Sequence, residues 1–124
     1  MRARRRKAVV PAPYEADIQA AVMQHYRLLG MPGTLLAAIP NQYAHGQAGL
    51  TPGLADLLVI GPCLPGGCAG FIELKRDEKS DRSSAQWKFA ELCGQLGIPY
   101  AVTFGRDQPI RILEAWGVVR RQAA

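Results

Sequence analysis

The chain has 124 residues, a length that fits one domain and supports a core without disulfide bridges. With 48% hydrophobic and 20% charged residues, the composition excludes a disordered or fibrous protein. The net charge of +5 favours a polyanionic partner such as nucleic acid, although a basic tail without a specific partner fits the charge equally well.

Cysteine content and hydropathy indicate the compartment. The chain has three cysteines, an odd number that argues against a secreted disulfide framework. The basic N-terminal stretch is not followed by an apolar segment, and no run of about 18 apolar residues exists to span a membrane. We therefore expect an intracellular protein without a membrane partner.

The first half of the chain is predicted to contain one helix and two strands. Residues 1–13 are rich in arginine and are expected to form a flexible basic arm. Apolar residues then recur at helical spacing and are followed by Gly30, a plausible helix cap. Two short apolar runs between glycines and prolines favour strands. The predicted helix covers 14–29, and the strands cover 34–39 and 55–60.

The second half is predicted to continue with two strands and two helices. The turn at 63–68 (CLPGGC) separates the second strand from a third. The remaining elements are a strand over 69–75, a helix over 84–96, a strand over 99–104 and a closing helix over 108–119. Short links between the first three strands favour antiparallel pairing, and the helical crossover allows the fourth to pair in parallel. The prediction is an α/β fold with a mixed sheet flanked by helices, in one domain over 14–119 with a basic tail at 120–124.

Three polar residues are predicted to meet on adjacent strands. Asp56 stands in an apolar strand, where a carboxylate is costly unless it is paired or binds a metal. Glu73 and Lys75 are two residues apart in the next strand, so their side chains leave the same face. The midpoints between Asp56 and either residue fall inside the CLPGGC turn. Antiparallel pairing would therefore place Asp56 opposite the Glu73–Lys75 segment.

The two flanking helices supply further polar groups. Glu15 and Gln19 continue the apolar face of the first helix, and Gln86 continues that of the second. Polar residues on core-facing stripes need partners, and the Asp56–Glu73–Lys75 cluster is the candidate. Other interpretations are that Glu15 only favours the helix dipole and that Gln86 forms a capping box with Ser83.

This cluster suits phosphodiester hydrolysis. Carboxylate oxygens bind Mg²⁺ or Mn²⁺, which lowers the pKa of water and offsets phosphate charge. The Lys75 amine can orient the attacking water or stabilise charge on the phosphate. A purely structural ion pair is the alternative, but two carboxylates against one amine argue against it.

The surrounding pattern resembles the VRR-NUC branch of the PD-(D/E)xK nucleases. Asp56 followed by Glu73-Leu74-Lys75 resembles the superfamily signature, which alone is weakly specific. Five segments in the same order carry the closer resemblance, from Glu15 to Phe104: EADIQ at 15–19, IPN at 39–41, PGLADL at 52–57, FIELKR at 71–76 and SAQ at 84–86. One departure is Ala55, where the family usually has proline. That proline shapes the strand entrance and carries no chemistry.

The resemblance implies a restriction-endonuclease-like αβββαβ core and a metal-dependent endonuclease that cuts DNA. Small stand-alone members are of the phage type, which implies a cytoplasmic protein of a bacterial or phage-infected cell, branched DNA such as four-way junctions as substrate, and a homodimer. It implies an active site at Glu15, Asp56, Glu73, Lys75 and Gln86. The Mg²⁺ or Mn²⁺ ligands would be Asp56, Glu73 and the Leu74 carbonyl, with Glu15 reaching a second ion or its water shell.

DNA contacts and alternative functions complete the prediction. The residues expected to contact DNA are Arg4, Arg5, Arg6, Lys7 and Arg76. Lys79 and Arg82 either grip phosphates or belong to a solvated charged turn. The alternatives are a non-catalytic DNA-binding module of the same fold and a structure-specific RNA nuclease. The DNA-binding module is less consistent with the sequence, because carboxylates repel phosphate and a surface that only binds DNA is expected to lack them.

Overall fold

A computed structural model describes residues 14–40, 48–49 and 51–122. The arm proposed at 1–13, including Arg4, Arg5, Arg6 and Lys7, lies outside the described residues, as do Asn41 and the last two residues of the proposed tail. The elements in chain order are α1 (Glu15–Leu29), β1 (Leu35–Ala38), β2 (Leu57–Ile60), β3 (Ala69–Lys75), α2 (Ser84–Leu96), β4 (Tyr100–Phe104) and α3 (Asp107–Ala115).

The four strands form one mixed sheet in the order β1-β2-β3-β4. The first three pair antiparallel, while β4 pairs parallel to β3 after the α2 crossover. Both the α/β class and the mixed pairing predicted from the connection lengths are confirmed. The β2–β3 ladder matches Leu57 with Ile72.

The core lies between one face of the sheet and helices α1 and α3. Alternation along β2 and β3 turns Leu57, Val59 and Ile72 inward, where they are fully buried with Ile18 and Val22 of α1. Helix α2 covers the opposite face near β3 and β4, where Phe89 packs edge-on against Phe71 and Tyr100. Polar residues on this second face of β3 therefore point toward α2.

The closing helix is shorter than predicted. It ends at Ala115, because Gly117 adopts a left-handed conformation with φ of 73°. Val118 and Val119 then return to α1, where Val119 bridges Gly30 and the Val118 carbonyl accepts from the Met31 N–H at 2.8 Å. Apolar residues at 118–119 thus belong to an extended segment.

Helix α2 has the predicted bounds but a different buried face. Ser83 caps its start, and Gly97 ends it in a left-handed conformation. Cys93 is buried as expected, whereas Leu92 and Leu96 are 49% and 65% exposed. The helical spacing of Phe89, Leu92, Cys93 and Leu96 predicts one buried stripe. This prediction is wrong for Leu92 and Leu96, because the ring contacts of α2 with the sheet are made by Phe89. Within the described ranges, no helix has the length and apolarity needed to cross a bilayer.

Candidate active site

Asp56 meets Glu73 at the open end of the β2–β3 hairpin. One residue beyond the Leu57–Ile72 pair, the antiparallel ladder places Asp56 opposite Glu73. The side chain of Asp56 accepts the Leu74 N–H at its Oδ2, at 2.6 Å. Of the two registers that the turn allowed, the structure has the one that faces Asp56 with Glu73.

Gly53 sets the approach of the segment before Asp56 to helix α2. Its φ is 90°, and a Cβ atom there would lie 2.5 Å from the backbone carbonyl of Ala85. Only glycine fits this conformation and this contact without displacing the helix. Gly53 therefore allows the segment that leads to Asp56 to lie close to the start of α2.

Glu73 is fully buried and surrounded by donors. The Tyr100 hydroxyl donates to its Oε1 at 2.5 Å. Its Oε2 lies 3.3 Å from Arg82 Nε and 3.7 Å from Lys75 Nζ, yet it accepts no hydrogen bond from any described residue. Two cations and one phenol thus compensate a carboxylate that would otherwise be very costly to bury.

Gln86 links the lysine to the start of α2. Its Oε1 accepts from Lys75 Nζ at 3.2 Å and from the Ser83 N–H at 2.8 Å, while Ser83 Oγ accepts the Gln86 N–H. The two interpretations of Gln86, capping box and contact with the cluster, therefore both hold. Lys75 also donates to the Asp81 carbonyl at 3.1 Å, so several bonds fix the position of its ammonium.

Asp56 carries an unfavourable charge in this environment. Burial, together with the neighbouring charges of Glu15 and Glu73, raises its pKa from 3.8 to about 6, despite the lowering effect of the Leu74 N–H and Lys75. Glu15, half-buried at the start of α1, thus influences Asp56 through its charge. An excess of negative charge on one side and a fixed ammonium on the other define this site.

No protein-family model and no curated protein matches the chain. Among solved structures, one described as a VRR_NUC domain protein has a TM-score of 0.73 at 21% sequence identity. The alignment covers 90% of this chain and 100% of the other chain. Another, described as a VRR_NUC domain, has a TM-score of 0.56 at 25% identity and covers 81% of this chain and 94% of its own. The chain has the fold of a VRR-NUC domain.

Within this VRR-NUC fold, the donor set near Asp56 suits a hard divalent cation. Leu74 directs its N–H at Asp56, so its carbonyl also faces the β2 side of the ladder. Asp56, Glu73 Oε2 and the Leu74 carbonyl are oxygen donors, which Mg²⁺ and Mn²⁺ prefer. Within the described part of the chain, no three His, Cys, Asp or Glu side chains converge on one point. Asp56 and Glu73 would be the two carboxylate ligands of an ion here, with the Leu74 carbonyl as a third oxygen ligand.

Two residues of the candidate site were not identified as partners of Glu73 from the sequence. Tyr100 lies on β4, in register with Phe71 of β3, and reaches Glu73 across the sheet. The sequence suggested for Arg82 only a phosphate contact or a solvated charge. In the structure only 13% of its side chain is exposed, so it is not a solvated charge. A tyrosine within an apolar strand was the available signal, because a buried hydroxyl needs a partner.

Arg76 directly follows Lys75 and contacts the start of α1. Its guanidinium is 5.3 Å from the centroid of the Tyr14 ring, at the start of α1, and the residue is half-buried. Its proposed contact with DNA remains a prediction.

Proposed function

We propose that the chain is a metal-dependent DNA endonuclease that acts at the Asp56–Glu73–Lys75 cluster. The observation that carries this proposal is the position of Asp56, which precedes β2 and accepts the Leu74 N–H. This brings its charge close to Glu73, beside an ammonium held by Gln86. A structural ion pair explains Glu73 with its two cations, but it leaves Asp56 as a second carboxylate with a pKa raised to about 6. Such a charge is retained where chemistry needs it. The similarity in fold to proteins described as VRR_NUC domains supports a nuclease-like domain.

Asp56, Glu73 and the Leu74 carbonyl would hold Mg²⁺ or Mn²⁺. When bound, the ion supplies Lewis acidity toward water and the phosphate. Glu15, which acts on Asp56 by charge alone, would bind in the outer water shell or at a second ion. A cation would also stabilise the ionised form of Asp56, which is disfavoured in its absence.

Lys75 and Gln86 would position water and the phosphate. The Lys75 ammonium is fixed by the Asp81 carbonyl and by Gln86, so no reorganisation is needed when charge develops on the phosphate. The Gln86 carbonyl oxygen is in turn held by the Ser83 N–H, which restricts the amide to one orientation. Both residues thus provide fixed dipoles and charge beside the two carboxylates.

The net charge of +5 supports DNA as the substrate, with Arg4, Arg5, Arg6, Lys7 and Arg76 as phosphate contacts. Branched DNA is proposed from the family resemblance. A homodimer is proposed on the same ground. Sedimentation analysis of the purified chain tests the dimer independently of cleavage.

The function is tested by incubating the protein with single-stranded, duplex, flap and four-way-junction DNA and with matched RNA, in Mg²⁺, Mn²⁺ or EDTA. We expect metal-dependent cleavage of DNA, fastest on the junction, and no cleavage in EDTA. Tight DNA binding without any cleavage would instead identify a binding module. Cleavage restricted to RNA would identify an RNA nuclease.

A further inference from the structure

The guanidinium of Arg82 is held against Glu73 from three sides. Its Nε lies 3.3 Å from Glu73 Oε2, its Nη2 donates to the Tyr100 hydroxyl at 3.2 Å, and its Cζ is 4.1 Å from the centroid of the Trp87 ring. Arg82 therefore compensates the fully buried Glu73 charge through a direct ion pair and through Tyr100.

The Arg82–Glu73 pair lacks one feature of a permanent structural bridge. Arg82 Nε and Glu73 Oε2 are both buried, and neither atom forms a hydrogen bond with a described residue. The two atoms are thus attracted by charge but are not aligned for a charge-assisted hydrogen bond. A different cation can replace this interaction without breaking an aligned bond.

The structure also provides a place for the displaced guanidinium. A cleft of about 640 Å³ is lined by Arg82 and Trp87 together with Glu78 and Asp81. A guanidinium that leaves Glu73 can remain near the Trp87 ring and approach these acidic residues.

We propose that Arg82 is an exchangeable counter-ion of Glu73, which yields Glu73 Oε2 to a divalent cation when the site is filled. This inference rests on the proposed metal-dependent function. A cation between Asp56 and Glu73 would lie close to the guanidinium, and like charges at such separations repel strongly in a partly buried site. Arg82 therefore stabilises the metal-free protein and raises the cation concentration at which the site fills.

The test compares Mn²⁺ binding by calorimetry and thermal unfolding, with EDTA or Mn²⁺, for the wild type and Arg82→Gln. Arg82→Gln should bind Mn²⁺ more tightly, on the order of tenfold. It should unfold at a lower temperature in EDTA, because Glu73 loses its counter-ion, and should recover more stability than the wild type on addition of Mn²⁺. Arg111→Gln removes the same charge from an exposed position on α3 and should match the wild type.

A second variant keeps the charge of Arg82 but removes its platform. Trp87→Ala should increase Mn²⁺ affinity by a few-fold, since a less constrained guanidinium competes less well for Glu73. The exchange would be overturned if Arg82→Gln bound Mn²⁺ as tightly as the wild type or more weakly. If Arg82→Gln does not fold, the same result in Trp87→Ala would overturn it. In either case the metal site itself would remain in place. Absence of Mn²⁺ binding in the wild type and in both variants would remove the metal site itself.

Discussion

Replacing Asp56 with asparagine should stabilise the metal-free protein while abolishing metal binding. The carboxylate is partly buried near Glu15 and Glu73, and these conditions raise its pKa from 3.8 to about 6. Asparagine has nearly the same shape and can still accept the Leu74 N–H through its carbonyl oxygen. Asp56→Asn thus removes an unfavourable charge and keeps the hydrogen bond.

The size of the effect follows from the pKa of Asp56. A pKa that rises from 3.8 to about 6 means that ionising this group costs roughly 3 kcal/mol more in the folded than in the unfolded chain. Residual solvent contact reduces this figure, so Asp56→Asn should raise the free energy of unfolding by roughly 1 to 3 kcal/mol at pH 7.5. Because the folded state binds the proton more tightly, wild-type stability should fall as pH rises from about 4 through about 6. The difference between the proteins should therefore nearly vanish at pH 4.

Urea unfolding in EDTA between pH 4 and 8 measures this difference. Asp107→Asn, an exposed substitution in the first turn of α3, serves as the control and should change stability by about 0.5 kcal/mol or less. With Mn²⁺ present, the wild type should gain stability and Asp56→Asn should not. If Asp56→Asn is less stable than the wild type at pH 7.5 in EDTA, Asp56 is favourably paired and the reasoning from its charge is refuted.

Three further predictions address the remaining parts of the site. Lys75→Ala should slow single-turnover cleavage by about a hundredfold while Mn²⁺ still binds, because one fixed donor is lost and both carboxylates remain; a wild-type rate would exclude Lys75 from the chemistry. Gly53→Ala should lower the free energy of unfolding by about 2 kcal/mol or more, because its Cβ would collide with the Ala85 backbone. The control Gly94→Ala has open space around the new Cβ and should show no such loss in urea unfolding. Deletion of residues 1–7 removes five positive charges and should weaken DNA binding and flatten its salt dependence, and an unaltered salt slope would mean that this segment does not contact DNA.

The part of the site built from neighbouring strands was predictable from the sequence. A single short turn joins β2 and β3, so chain spacing alone limited Asp56 to positions opposite Glu73 or Lys75. The double role of Gln86 followed from its place three residues after Ser83 on the face of α2 that approaches the sheet. Local signals of this kind determine the register of a hairpin and the start of a helix.

The contacts made across the crossover were not predictable in the same way. β4 returns to the sheet after α2, and the length of a crossover does not set the register of a parallel pair. The contact of Tyr100 with Glu73 therefore depends on packing of Phe89 against both strands. The position of Arg82 depends likewise on the Trp87 ring, which a pattern of charges along the chain does not reveal.

Single-turnover cleavage by the wild type and by Glu73→Gln tests the central claim most directly. Four-way-junction DNA is bound in Ca²⁺ to measure affinity, and cleavage is then started with Mg²⁺ or Mn²⁺. We expect the wild type to cut and Glu73→Gln to bind the junction with similar affinity but to lose cleavage, because a carboxylate needed for the cation is replaced by a neutral amide of the same shape. Equal cleavage rates for the two proteins, or a wild type that binds DNA and cuts none of the substrates with either metal, would contradict a hydrolytic site at Asp56, Glu73 and Lys75.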